Sequence, residues 1–155
     1  MAVTGLRIDP FTTHSFSVEI GHVQHALFSE FSGLQAEVDV FAYPEGGCND
    51  YVHKLPGRIK ESSNITLKRG VACTDELWLW FEDVMNGSVT RKSVSVILYH
   101  ATHIPVKRWN FSNAFPVKWV GPAFKAGENA ISIETLELAH EGMSTTVNIA
   151  ARGIV

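Results

Sequence analysis

The chain is poor in cysteine: Cys48 and Cys73 are its only two in 155 residues. Its opening, MAVTGLRIDPF, lacks a basic head followed by an apolar run, so no secretory signal is expected. A reducing cytoplasm follows as the default compartment, with two free thiols expected in place of a structural disulfide. No apolar run approaches the roughly 18 residues that a spanning helix needs, so no membrane anchor is expected. Charge of one sign is also lacking. Thirteen Lys and Arg face 16 Asp and Glu, for a net charge of −3, which gives no global case for nucleic acid or an anionic membrane. No linker, internal repeat or low-complexity tract divides the chain, so residues 1–155 read as a single domain. A chain of this length can bury roughly 70% of the surface it exposes when unfolded. With 45% apolar and 19% charged residues, it belongs to the ordinary globular class.

Motifs that carry chemistry are equally scarce. There is no GxSxG elbow, and no GxGxxG or GxxxxGK[ST] stands between a strand and a helix. Cys48 follows Gly46-Gly47, but no patterned His and Asn accompany it as a thiol enzyme would require. Seven histidines raise the question of a metal. His22 and His25 are three apart, as are His100 and His103, and residues three apart on a strand face opposite sides. His140-Glu141 is half of HExxH without its second histidine. Between Lys54 and Arg69, five basic residues (Lys54, Arg58, Lys60, Lys68, Arg69) face Glu61 alone, but no aromatics interleave them as nucleic-acid stacking would need. No catalytic, cofactor-binding or metal-ligating residue is therefore nominated, and the composition points to a β-rich binding or assembly domain.

What the chain does have is a period of two. HSFSVEI sets Phe16, Val18 and Ile20 on one face. QAEVDVFAY alternates Ala36, Val38 and Val40 with Glu37, Asp39 and Phe41, SNITLKRG carries Ile65 and Leu67, and RKSVSVILYH carries Val94, Val96 and Leu98. VKRWNF and FPVKWVG read as two further strands. Alternation of this kind marks half-buried antiparallel strands, and Gly, Pro and Asn punctuate the gaps. TDELWLWFEDVMNG breaks the pattern and predicts one helix over about 74–86. Thr74 can cap it, the dipole favours Asp75 and Glu76 in its first turn, and Gly87 suits the left-handed position beyond its end. Leu77, Trp80, Phe81 and Val84 form its core stripe.

Three features remain open at this level. The stretch of about 43–63, YPEGGCNDYVHKLPGRIKESS, reads as a long loop whose Tyr51, Val52 and Leu55 need something to pack against. The chain is acidic without Lys or Arg from Ile8 to His53 and basic without Asp or Glu from Val84 to Gly127, which suits either solvated faces or opposed surfaces between copies. NAISIETLELAHEG reads as a capped helix from Asn129, or as a strand whose apolar phase changes between Ile131 and Ile133 on one side and Leu136 and Leu138 on the other.

Several stretches together resemble one family. FSEFSGL is followed by EGGCN, KLPG and ITLKRG, then by ELWLWFEDVMNG, and later by NAFPVKWVGP and ETLELAHEG. These blocks, spread from about Asp9 to Gly142, are similar to the tail tube proteins of contractile-tailed phages and phage-tail-like contractile injection systems. The fold is also similar to the haemolysin-coregulated tube protein of type VI secretion. The resemblance implies a mainly β fold, an antiparallel β-barrel or two-sheet sandwich with one flanking helix. It implies a structural subunit without catalysis or cofactor. Six copies would form a ring, and rings would stack into a hollow tube that a contractile sheath drives through a target envelope and that can conduct cargo. The implied partners are the protein itself, a sheath protein, baseplate and terminator or cap proteins, and a luminal cargo or tape-measure protein. Assembly would take place in the bacterial cytoplasm, within a phage tail, a bacteriocin-like particle or an injection system. A specialised baseplate-proximal ring and a type VI tube protein stand as alternatives within this reading, and a monomeric ligand-binding barrel stands outside it.

On this resemblance, 43–63 becomes a hairpin reaching a neighbouring subunit or ring. Tyr43, Glu45, Gly46, Gly47, Asn49, Tyr51, Val52, Lys54, Leu55, Pro56 and Gly57 would form the contact. Cys48 falls at the variable position of EGGxN. Ala130–His140 becomes a strand, and its phase change predicts either a β-bulge near Glu134–Thr135 or a crossing from the core to a surface that a neighbour covers.

Overall fold

The computed structural model describes residues 15–25, 28–47, 49–60, 63–71 and 73–147. Alternating segments become strands β1 (Phe16–Ile20), β2 (Val23–His25), β3 (Phe28–Ser32), β4 (Val38–Tyr43), β5 (His53–Ile59) and β6 (Ile65–Gly70). The helix α1 (Glu76–Met85) follows, then β7 (Lys92–Tyr99), β8 (Pro105–Val120), β9 (Ile133–Ala139) and β10 (Gly142–Val147). Every strand pairing is antiparallel. The main order is β2-β1-β7-β8-β9-β6-β3, with β10 also on β8, while among the described residues β4 and β5 pair only with each other. Among the described residues the order ends at β2 and β3 without closing, an open two-sheet, mainly β arrangement flanked by a helix.

β8 joins the two sheets. Its first part lies between β7 and β10, and its second part, from Phe115, pairs with β9. The sequence predicts two strands here, and the structure has one of 16 residues. The apparent gap is a corner. Asn113 adopts the left-handed φ of 52° that Asn tolerates, and its amide donates to Glu141 Oε2 at 2.7 Å. Glu141 N–H bonds Ser112 O at 3.0 Å, and Arg91 holds Glu141 Oε1 at 2.5 Å.

One core fills the space between the sheets. Val18, Ile20, Val94, Val96 and Phe111 come from one sheet, Phe28, Ile65, Leu67, Leu136 and Leu138 from the other, and Leu77 and Trp80 from α1. Trp80 Nε1 donates to Thr90 O at 2.8 Å, and Trp78 sets its ring edge-on to Trp119 at 4.7 Å. Phe81 and Val84 are half-buried. Thr74 does not cap the helix. Asp75 stands at that position without a side-chain cap bond, and Thr74 instead offers its carbonyl to Arg69 Nη2 at 3.1 Å. Gly87 takes the expected left-handed φ, 89°. Gly33 ends β3 with φ 100°, and a Cβ there would lie 2.4 Å from Asn64 O, so the two loops touch only because this residue is glycine.

β9 corrects the predicted bulge. It begins at Ile133, later than the expected Ala130, and its register with β6 runs unbroken through Arg69↔Glu134, Lys68↔Thr135 and Leu67↔Leu136. The core face is Glu134, Leu136, Leu138 and then His140, with no change of phase. Glu134 holds a core position because Arg69, buried directly opposite, forms an ion pair with it, and Trp119 Nε1 donates to its second oxygen at 3.2 Å. A buried charge is tolerated only when paired and hydrogen-bonded in this way. Ile131 and Ile133 are exposed on the other side.

Part of the charge separation along the sequence is resolved within the fold. Glu19 pairs with Arg108, Glu30 with Lys68 and Glu141 with Arg91.

Candidate assembly interface

The expected loop of 43–63 is half strand. β4 and β5 form a two-stranded ribbon with the register Val38↔Ile59, Val40↔Pro56, Phe41↔Leu55, Ala42↔Lys54 and Tyr43↔His53. The seven residues of β5 were hidden because HKLPGRI combines a Pro, a Gly and three basic or titratable residues, a poor strand composition. The Pro is tolerated because β5 is an edge strand. Gly57 sits where the register slips, and a Cβ there would come 3.1 Å from Asp39 O.

The tip connects Tyr43 to His53. Glu45, Gly46, Gly47 and Asn49 turn the chain, with Gly47 at a φ of 100°. Glu45 Oε2 meets His53 Nε2 at 2.9 Å, and Tyr51 sets its ring edge-on to His53 at 5.0 Å. Cys48 lies outside the described residues. At the base, Lys60 Nζ reaches Glu37 Oε1 at 2.6 Å and Asp39 Oδ1 at 3.4 Å. The hydrogen bond and charge of Glu37, with Asp39 behind it, hold Lys60 above the ordinary lysine value of 10.5.

The predicted contact residues Tyr43, Tyr51, Val52 and Leu55 are all exposed, as are Lys54, Pro56 and Gly57. The structure adds Val38, Val40, Phe41 and Ile59 to them, with Ile59 82% exposed. The alternation in QAEVDVFAY suggests an ordinary half-buried strand, yet every residue of β4 is exposed. The available signal was that β4 is apolar in both phases: Val38 and Val40 in one, Phe41 and Tyr43 in the other.

A second exposed apolar group lies at the start of β9. Val71 N–H bonds Ser132 O at 2.9 Å and Gly70 pairs with Ile133, which brings Val71, Ile131 and Ile133 to one end of the β6–β9 pair. Ile131 is 83% exposed. Thr135 lies on the same outer face as Ile133, and Leu136 and Leu138 lie in the core.

Other chemistry finds little support among these residues. Cys73 is an exposed free thiol. Among the described residues no three His, Cys, Asp or Glu side chains gather as a metal site, and no helix is long and apolar enough to cross a membrane.

Residues 12–144 match the family described as T4-like virus tail tube protein gp19. The fold is similar to a chain from the cryo-EM structure of the extracellular contractile injection system PVC, its sheath–tube complex in the extended state. The identity is 28%, covering 90% of this chain and 93% of that one, with a TM-score of 0.80. It is similar at 28% identity to a chain from the anti-feeding prophage cap, described as the AFP tube terminating cap, covering 96% and 100% with a TM-score of 0.84. Hcp1 from Flavobacterium johnsoniae shares the fold at 16% identity, covering 86% and 95%, with a TM-score of 0.54. By sequence, the chain matches no curated protein. Motif order, sheet topology and a match across most of the length agree, and the chain belongs to the T4-like virus tail tube protein gp19 family, the structural tube proteins of contractile tails and injection systems.

Proposed function

We propose that this chain is the repeating subunit of the inner tube of a contractile injection particle or phage-like tail. Six copies close into a ring, rings stack into a hollow tube, a sheath surrounds and drives it, and the lumen can conduct cargo or hold a tape-measure protein. The observation that carries this reading is the β4–β5 ribbon, which among the described residues pairs with no other strand and presents large apolar side chains to water. Exposed apolar surface of this extent marks a contact between proteins. Head-to-tail contacts between identical chains generate rings when the rotation closes and filaments when it does not.

The partners follow from the relatives. Their structures are described as a sheath–tube complex, a tube terminating cap, a six-fold symmetrised baseplate and a sheath/tube terminator. The corresponding proposals for this chain are a sheath protein, a baseplate and a cap, with assembly in the bacterial cytoplasm. The role is structural and non-enzymatic. A ligand-binding barrel fits less well, because the space between the sheets is filled by Phe111, Ile65, Leu67, Leu136 and Leu138. Negative-stain microscopy of the purified protein tests the reading. Six-membered rings or tubes of uniform bore are expected, and a protein that stays monomeric at high concentration in every preparation would overturn it.

A further inference from the structure

Helix α1 begins without a side-chain cap among the described residues. Leu77 and Trp80 press it onto the sheets, but apolar packing is non-directional and does not by itself fix a helix's rotation or register. Two polar arms reach its first turn, and both start from Glu134. Glu134 Oε1 pairs with Arg69 Nε, and Arg69 Nη2 donates to Thr74 O at 3.1 Å, just ahead of the helix. Glu134 Oε2 accepts from Trp119 Nε1 at 3.2 Å, and the Trp119 ring lies T-shaped to Trp78, in the first turn, at 4.7 Å. Trp119 in turn rests on Gly121, where a Cβ would lie 2.7 Å from the ring. Arg69 and Glu134 are both buried. A buried ion pair is a poor source of stability, since apolar residues of similar volume often serve as well or better. What it offers here is direction, because a planar guanidinium donates along fixed lines to two acceptors at once.

We propose that Arg69 and Glu134 are positioning residues for α1, a latch that sets the first turn of the helix against β6, β8 and β9. Glu134 aims the guanidinium, and Arg69 ties the backbone entering the helix to the strand it has just left. Trp119, held by the second carboxylate oxygen, sets the Trp78 ring from the other side. The exposed side chains of α1, Leu79 among them, thereby keep a fixed place relative to β6 and β9. The latch belongs to the single chain and does not depend on the tube reading.

The test compares two variants of the full chain with the wild type: Arg69→Met combined with Glu134→Leu, and Arg69→Lys alone. The readouts are amide hydrogen exchange, the circular-dichroism couplet of the Trp78–Trp119 pair, and chemical denaturation. The double variant should denature near the wild-type midpoint, yet its couplet should weaken. Its Leu79 amide, which donates to Asp75 O at 2.9 Å, should exchange about tenfold faster, the effect of losing one hydrogen bond. Amides of Leu67 and Leu136, in the core strands, should keep their wild-type rates. Arg69→Lys keeps the charge pair, but an ammonium lacks the fork that also serves Thr74. It should speed Leu79 exchange and leave the couplet in place. If the double variant keeps both the couplet and the wild-type Leu79 rate, packing alone places the helix and the latch is wrong. Exchange that rises equally at Leu67, Leu136 and Leu79 makes the pair a source of general stability only, which also overturns the proposal. Should the double variant not fold, Arg69→Lys decides, and a wild-type Leu79 rate in that variant overturns the latch.

Discussion

Leu67 and Leu55 are both strand leucines next to basic residues, yet Leu67 is wholly buried and Leu55 is 49% exposed. The same contrast holds for their arginines. Arg69 of β6 is buried against Glu134, and Arg58 of β5 is exposed. β6 lies between β3 and β9, and its inner face meets a second sheet. Among the described residues β5 has one neighbour, and from Lys54 to Ile59 it is exposed. The body can therefore satisfy its strands within one chain, and the ribbon cannot. Stability should reside in the body and association in the ribbon.

The largest effect should come from breaking the buried pair. Glu134→Leu leaves Arg69 charged and unpaired in the core, and should cost about 3–5 kcal/mol in chemical denaturation. The double change with Arg69→Met should recover most of that loss. Next is Leu136→Ala, a cavity between the sheets worth about 2–5 kcal/mol by the same measurement. Gly33→Ala would force a Cβ against the Asn64 carbonyl at a positive φ. A loss of about 1–3 kcal/mol in denaturation is expected, without a change in the ring contacts of any assembled material. Ile131→Glu, on the exposed patch, should shift monomer stability by less than about 0.5 kcal/mol while reducing tube yield in microscopy. A large stability loss there would erase the distinction between body and interface. The smallest effect is expected at the ribbon base. Lys60→Met removes an exposed pair, and such pairs contribute little. Because the lysine value is raised, any contribution is complete below the ordinary lysine value and is lost only as pH rises through the folded one. The melting temperature of the variant and the wild type should therefore differ equally at every pH across neutrality.

How far the sequence reveals this fold depends on where each strand's partner lies. β6 is legible because its alternation reflects a single core and a single outer face, and β1 and β7 because Phe16, Val18, Ile20, Val94 and Val96 follow that core, although Ser17, Ser95 and Ile97 on their other face are buried as well. β9 misleads because Glu134 stands where an apolar residue is expected, and the residue that makes it tolerable, Arg69, is 65 positions away and visible only in the register. The corner at Asn113 reads as a loop because Asn ordinarily marks one, although here the strand continues through it. The tip of the ribbon is legible as exposed apolar surface, through Tyr51, Val52 and Leu55 in an otherwise polar stretch. Its stem is not, because a strand that is apolar in both phases, as β4 is, reads from sequence like one buried in its own domain.

β8 also has a mechanical meaning. At about 3.3 Å per residue, its 16 residues span roughly 50 Å of continuous backbone through both sheets. Two sheets tied only by loops can slide or hinge when loaded, since loops are compliant and few bonds cross between the layers. Here a pull on one sheet reaches the other along covalent bonds, and the corner at Asn113 is braced by Glu141 and Arg91 on its flank. The subunit should therefore yield as one piece under axial load, and should deform first at the joints between subunits.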